Sequence, residues 1–240
     1  MAALYCQALN GWMLPMTSNS AMPSPLLRSY AGVGALLGWF AIALQFYVMF
    51  AARLADGRSL VGGVIYLLSF FTILTNALVA TTFSLHVLGR STQAARFFGK
   101  PSVATGIAAS IVLVDIAYSL LLRHLYHPQG LRLLSDHLLH DLLPLVYLGF
   151  WWRFVAIGRF GVADIARWAM YPVLYFIYVL LRGALFGLYP YPFVDVGQLG
   201  YPRVLLNAIA ILFGFVVISG LLIGLDRLKT YRTRPANTPG

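Results

Sequence analysis

Apolar residues run in six blocks along this chain, and polar residues collect between them. The blocks cover about 30–52, 62–87, 103–123, 137–153, 168–187 and 203–225. Each approaches the roughly 20 residues that a helix needs to cross a bilayer, the fourth being the shortest. Segments this long and this uniformly apolar do not suit barrel strands, and only helices remain to satisfy the backbone in lipid. The pattern predicts an all-α, polytopic membrane protein, a bundle of six transmembrane helices over residues 30–226. Residues 1–29, rich in Met, Pro, Ser and Asn, read as a disordered tail, with Met22 a candidate start. They lack the positive start and apolar run of a signal peptide. Residues 227–240 read as a polar, basic tail.

Composition strengthens this picture. The chain has 240 residues, 60% hydrophobic and only 10% charged, where a soluble domain usually carries about 25% charged residues. A net charge of +10 would suggest nucleic acid in a soluble protein. Here the basic residues lie mostly between and after the apolar blocks, so membrane topology explains them and no nucleic-acid partner is expected. The bilayer is the expected partner. One side would carry Arg28, Arg90, Arg96, Lys100, Arg153, Arg159, Arg167, Arg227, Lys229, Arg232 and Arg234. The other would carry Arg53, Arg58, Arg123, Arg132, Arg182 and Arg203. The heavier side is expected to be cytoplasmic and to hold both termini. An excess of arginine over lysine fits a GC-rich bacterial genome, hence an inner membrane. The single cysteine, Cys6, excludes an intrachain disulfide. Gly34/Gly38, Gly183/Gly187 and Gly220/Gly224 have the spacing that lets helices approach closely, read here as packing within one bundle. Nothing in the pattern sets an oligomeric state.

Against this apolar background a few polar side chains stand out. Ionisable groups inside spans are costly and by default suggest function. The candidates are Asp115 in the third span, His140 and Asp141 in the fourth, and Arg182 in the fifth, with uncharged Thr72, Thr75 and Asn76 in the second. Thr72 would lie roughly 15 Å below one end of a continuous second span. Asp115, His140 and Arg182 fall near the same depth, so one shared polar pocket is expected. Plainer readings stand beside this one. A membrane threonine can bond its own helix backbone, Asn76 can join two helices, and Asp115 with Arg182 can form a structural ion pair. Asp136 can cap the fourth helix. His137 and His140 are three apart, a spacing that can ligate metal. No third His or Cys lies at matching depth, so no metal or other cofactor is expected.

Three stretches resemble a family when taken together and in order. They are "FFTILTN" (70–76), "HLLHDLLP" (137–144) and "GLYPYPFVDVG" (187–197). They look like the bacterial six-helix membrane family Pr-six-Pr and its eukaryotic relatives, the androgen-induced-gene and androgen-dependent TFPI-regulating membrane hydrolases. In those eukaryotic relatives the resemblance implies hydrolysis of fatty acid esters of hydroxy fatty acids. It implies a catalytic threonine in the Phe-x-Thr motif and a catalytic second histidine in His-x-x-His, here Thr72 and His140. The chain departs from the relatives where they carry an acidic residue after the threonine motif and it has Thr75 and Asn76. Its His-to-Pro spacing also differs by one residue.

The chemistry is coherent on its own terms. An ester in a dry site needs a nucleophile, a base and an oxyanion donor. Thr72 would attack, His140 would take and return its proton, and Asp115, better placed than Asp141, would orient the imidazole. Asn76, one turn from Thr72, would donate to the oxyanion. Arg182 would clamp a substrate carboxylate, and Tyr189 and Tyr191 in the proline-rich segment would close over a long-chain lipid ester as an ordered lid. The alternatives are a proton-coupled carrier or lipid-binding protein, and an inert structural component. No inverted repeat and no evident broken helix favour the carrier.

Overall fold

The computed structural model describes residues 24–89, 92–158 and 160–233. Residues 1–23 and 234–240 of the expected tails lie outside the described residues, as do Arg90, Arg159 and Arg234 of the charge count. The described residues form helices joined by short loops, and no strand occurs among them. The chain is an all-α membrane bundle with five helical stretches long and apolar enough to span: Pro25–Ala55, Phe71–Leu88, Pro101–Leu122, Val162–Phe186 and Val196–Lys229.

Helix α1 runs Pro25–Ala55, starting earlier than residue 30. Ser24 accepts a hydrogen bond from the Leu27 amide at 3.2 Å, and Pro25 occupies the first turn, where a missing N–H costs nothing. The second predicted span is two helices, α2 (Leu60–Leu67) and α3 (Phe71–Leu88). Ser69 donates its hydroxyl to the Tyr66 carbonyl at 2.5 Å, and Phe70 is extended (φ −86°, ψ 129°). This overturns the expectation of an unbroken second helix and moves Thr72 from mid-span to the first turn of α3. A short helix α4 (Gln93–Phe98) leads into α5 (Pro101–Ala117), which continues as a π-helical turn, Tyr118–Leu122.

The fourth predicted span forms an unbroken helical run of three segments: α6 (Leu131–His137), a π turn (Leu138–Leu142) and α7 (Leu143–Phe154). It is not among the five apolar stretches, since Asp136, His137, His140 and Asp141 crowd its first half. Helix α8 is Val162–Phe186, ending at Gly187 in the left-handed conformation that glycine adopts without strain (φ 66°). A 3₁₀ turn, Pro192–Val194, precedes α9, Val196–Thr233, which kinks at Gly200 (φ 70°). Residues 227–233 of the expected tail are thus helical. Lys229 donates to the Trp151 carbonyl at 3.0 Å, tying α9 to the end of α7.

Helix α5 is the centre of the bundle. It packs against α3, α7, α8 and α9 and is the most buried of the five spans. Its Ala104, Ala108 and Ala109 are almost fully buried, so small residues let the neighbours close in. The Gly34/Gly38 pair does the same for α1 against α3. A Cβ on Gly34 would come within 2.7 Å of the Phe83 ring, and one on Gly38 within 2.9 Å of Ala80. Gly183 makes room for the Tyr189 ring, whereas Gly220 and Gly224 face open space.

Candidate functional site

One end of the bundle gathers the start of α3, the π turn after α5, the π turn between α6 and α7, and the segment before α9. Thr72 sits in the first turn of α3, where amide groups have no partner within the helix. Its N–H donates to the Tyr191 hydroxyl at 3.3 Å, and its Oγ1 lies 3.5 Å from that hydroxyl. Tyr191 is held edge-on to Phe70 and stacked on Phe193 at 5.1 Å. Two more tyrosine hydroxyls serve the broken end of α3. Tyr175 donates to the Ser69 carbonyl at 2.8 Å, and the Tyr171 and Thr75 hydroxyls meet at 3.1 Å. A break in a membrane helix exposes backbone groups, and here side chains from α8 and the following loop satisfy them.

Asn76 is fully buried. Its Nδ2 donates to the Thr72 carbonyl at 2.9 Å and to the Leu139 carbonyl at 3.2 Å. The second bond has a reason in the π turn. The Leu143 N–H goes to Leu138, and the next residue, Pro144, has no N–H. The Leu139 carbonyl therefore lacks a donor along its own helix, and Asn76 supplies one. Both amide hydrogens are then committed, so Asn76 ties α3 to the π turn rather than serving as the expected oxyanion donor. Its Oδ1 is buried without a partner.

His140 follows Leu139 in that π turn. Its Nδ1 meets the Asp136 carbonyl at 3.0 Å and the Asp136 carboxylate at 3.2 Å. Its ring stacks on Tyr118 with centroids 3.8 Å apart, and the Tyr118 hydroxyl donates to Asp136 at 2.5 Å. The residue that orients His140 is thus Asp136, not Asp115. Asp115 accepts a long 3.5 Å bond from Ser119 instead. Nor does Asp136 cap a helix, because α6 begins at Leu131 behind Gly130. The spacing of Asp136 and His140, four residues apart on one helix face, was the signal available in the sequence. Tyr118 had no such signal. Asp141 faces the outer side of the cluster, bonded to Arg123 and, at 2.5 Å, to His137.

Two further expected site residues lie elsewhere. Arg182 is buried, but its Nη1 donates to the Leu188 carbonyl at 2.7 Å, so it closes the loop after its own helix. Among the described residues it forms no ion pair with Asp115. Tyr189 packs its ring on Gly183.

A cavity of about 300 Å³ lies among α3, α5, α8 and α9. Thr72, Tyr118, Tyr175 and Tyr191 contribute hydroxyl-bearing side chains to a wall otherwise made of residues such as Phe71, Leu113, Phe176 and Phe215. Phe193 and Val194 of the proline-rich segment also line it, so this segment forms part of the wall. His140 does not line the cavity, but Tyr118, stacked on it, does. Among the described residues no group of three His, Cys, Asp or Glu gathers as a metal site would require. Compared with models of protein families, with curated proteins and with solved structures, the chain matches none of them.

Proposed function

We propose that this protein hydrolyses long-chain lipid esters within the membrane, with Thr72 as nucleophile and His140 as base. The observation that carries this reading is the Asn76 amide, which bonds both the Thr72 carbonyl and the carbonyl beside His140. It ties the backbone of Thr72, which lies on the wall of an apolar cavity, to the turn that carries His140. Thr72 Oγ1 would bond to the ester carbonyl carbon while its proton passes to His140, directly or through one water. Nδ1 is engaged by Asp136, which leaves Nε2 for that proton. The alcohol would leave with the proton, and water would then cleave the acyl-threonine. The positive end of α3 would favour the oxyanion, and the Tyr191 hydroxyl, which accepts from the Thr72 N–H and lies 3.5 Å from Thr72 Oγ1, would donate to it.

The fitting location is a bacterial inner membrane with both termini cytoplasmic and the site toward the opposite face. A reporter fused to the C-terminus should signal from the cytoplasm, and a periplasmic signal would reverse this orientation. The activity itself is tested by purification in detergent and a screen of long-chain esters, wild type beside Thr72→Ala. Full activity in the variant excludes the mechanism. A second reading, a lipid-binding or carrier protein without catalysis, is favoured by two observations: the second span is broken before α3, as the helices of carriers often are, and Thr72 is engaged away from His140. Thr72 bonds Tyr191 and makes no hydrogen bond to His140 among the described residues.

A further inference from the structure

We infer that the site takes an uncharged lipid ester, of the wax type, and that a long chain of this ligand continues from the Thr72 cavity into a second groove between α5 and α9. The inference rests on the hydrolase reading only for the ester group. The lining of the two cavities carries the rest.

No charged side chain lines either cavity. In the first, the polar tips are mostly turned to the protein: Tyr118 bonds Asp136 and Tyr175 bonds the Ser69 carbonyl. The Thr72–Tyr191 hydroxyl pair remains as a polar spot on an apolar surface. One such spot suits one carbonyl group. A carboxylate in the same space would lose its hydration with no cation to replace it, which disfavours the ionised form strongly. Arg182, the cation expected to hold a carboxylate, lines neither cavity and is bonded to Leu188. Arg123 is bonded to Asp141 and likewise lines neither.

The second groove holds about 490 Å³ and shares Leu113, Ala117, Phe193 and Ile211 with the first cavity. Its polar side chain, Asn207, donates to the Phe193 carbonyl at 2.9 Å, which pins the shared wall. Both spaces lie between helices long and apolar enough to span the bilayer. A chain that begins at Thr72 therefore reaches the lipid-facing groove without crossing a polar surface. An acyl chain fits that route because it gains from apolar contact along its whole length and asks for no hydrogen bond.

The test uses the full chain in detergent and ketone analogues, in which a methylene replaces the ester oxygen so that binding is read without turnover. Three probes are compared: the ketone analogue of hexadecyl hexadecanoate, the same molecule carrying a terminal carboxylate, and its methyl-capped form. The neutral and capped probes should bind alike and at least about tenfold more tightly than the carboxylate. Equal or tighter binding of the carboxylate overturns the inference. For the groove, Gly214→Leu is the informative variant, because a Cβ there meets nothing within 4 Å and the added side chain fills groove space. It should weaken the hexadecyl probe by about tenfold and leave an octyl probe unaffected. Ala210→Trp provides a second filling at another lining position. Equal weakening of both chain lengths in both variants overturns the groove assignment. Absence of ester hydrolysis with this binding pattern intact would refute the hydrolase reading alone.

Discussion

Arg182 and His140 look alike in the sequence, since each is an ionisable side chain inside a helix among apolar residues. Their surroundings differ. Arg182 spends its guanidinium on a backbone carbonyl six residues along its own chain. His140 is stacked by a tyrosine from α5, bonded to a carboxylate on its own helix, and set beside a carbonyl that α3 holds. The first arrangement closes a loop, whereas the second ties three parts of the chain around one imidazole and reaches the cavity wall through Tyr118. Burial of a charge marks expense, and the identity of the partner indicates what the expense secures.

The largest expected effect falls on the His140 side. His140→Ala and Thr72→Ala should each lower ester hydrolysis by about 10²–10⁴-fold, the range for loss of a general base or more. The double variant should be little worse than either single one, because the groups act as a unit in the proposed mechanism. Circular dichroism and expression should match wild type. Asp136→Asn should cost less than His140→Ala, since it disturbs orientation and not the base itself. It should also displace the pH–rate profile, a readout that loss of packing alone would not move.

Arg182→Leu should act on stability and not on chemistry. It leaves the Leu188 carbonyl without its donor, which costs about 1–3 kcal/mol when the group stays buried. Thermal unfolding in detergent should register that loss, while folded protein keeps the wild-type ratio between neutral and carboxylated substrates. A variant that unfolds like wild type but loses only the carboxylated substrate would return Arg182 to the role of a clamp.

The helical class and most of the spans were legible, because an apolar run near 20 residues has one good solution in lipid. The break before α3 was not. Phe70 and Phe71 continue the apolar composition and one serine, Ser69, does not mark a break, and the hydroxyl that satisfies the Ser69 carbonyl comes from Tyr175, 106 residues away. The depth argument set Thr72 well inside an unbroken helix and grouped it with Asp115, His140 and Arg182, whereas the break puts Thr72 at a helix start and Asp115 and Arg182 bond elsewhere. The partner of His140 was misassigned for a local reason. Starting the fourth helix at residue 137 left Asp136 outside it as a cap, whereas a start at Leu131 puts both residues on one face. Arg182 was misread because a backbone carbonyl leaves no trace in a pattern of side chains.

The smallest effect tests how the His140 side is held. The Leu139 carbonyl loses its helical donor at Pro144, and Asn76 replaces that donor from α3. Asn76→Leu should remove the replacement and cost about 0.6–2 kcal/mol, the scale of a hydrogen bond between membrane helices. Pro144→Ala restores an N–H at the position that can serve Leu139 from within its own run. In the Asn76→Leu background it should recover part of the lost thermal stability. In the wild-type background, where Asn76 already serves that carbonyl, it should bring little gain. A double-variant cycle measures this dependence as a coupling energy. Additive effects would mean that Asn76 and Pro144 do not answer to the same carbonyl, and the link between the Thr72 and His140 backbones would lose its physical basis. Coupling of the expected sign would leave the Thr72 carbonyl short of its Asn76 bond even after rescue. Recovered stability with hydrolysis still reduced would therefore separate the hold on His140 from the tie to Thr72.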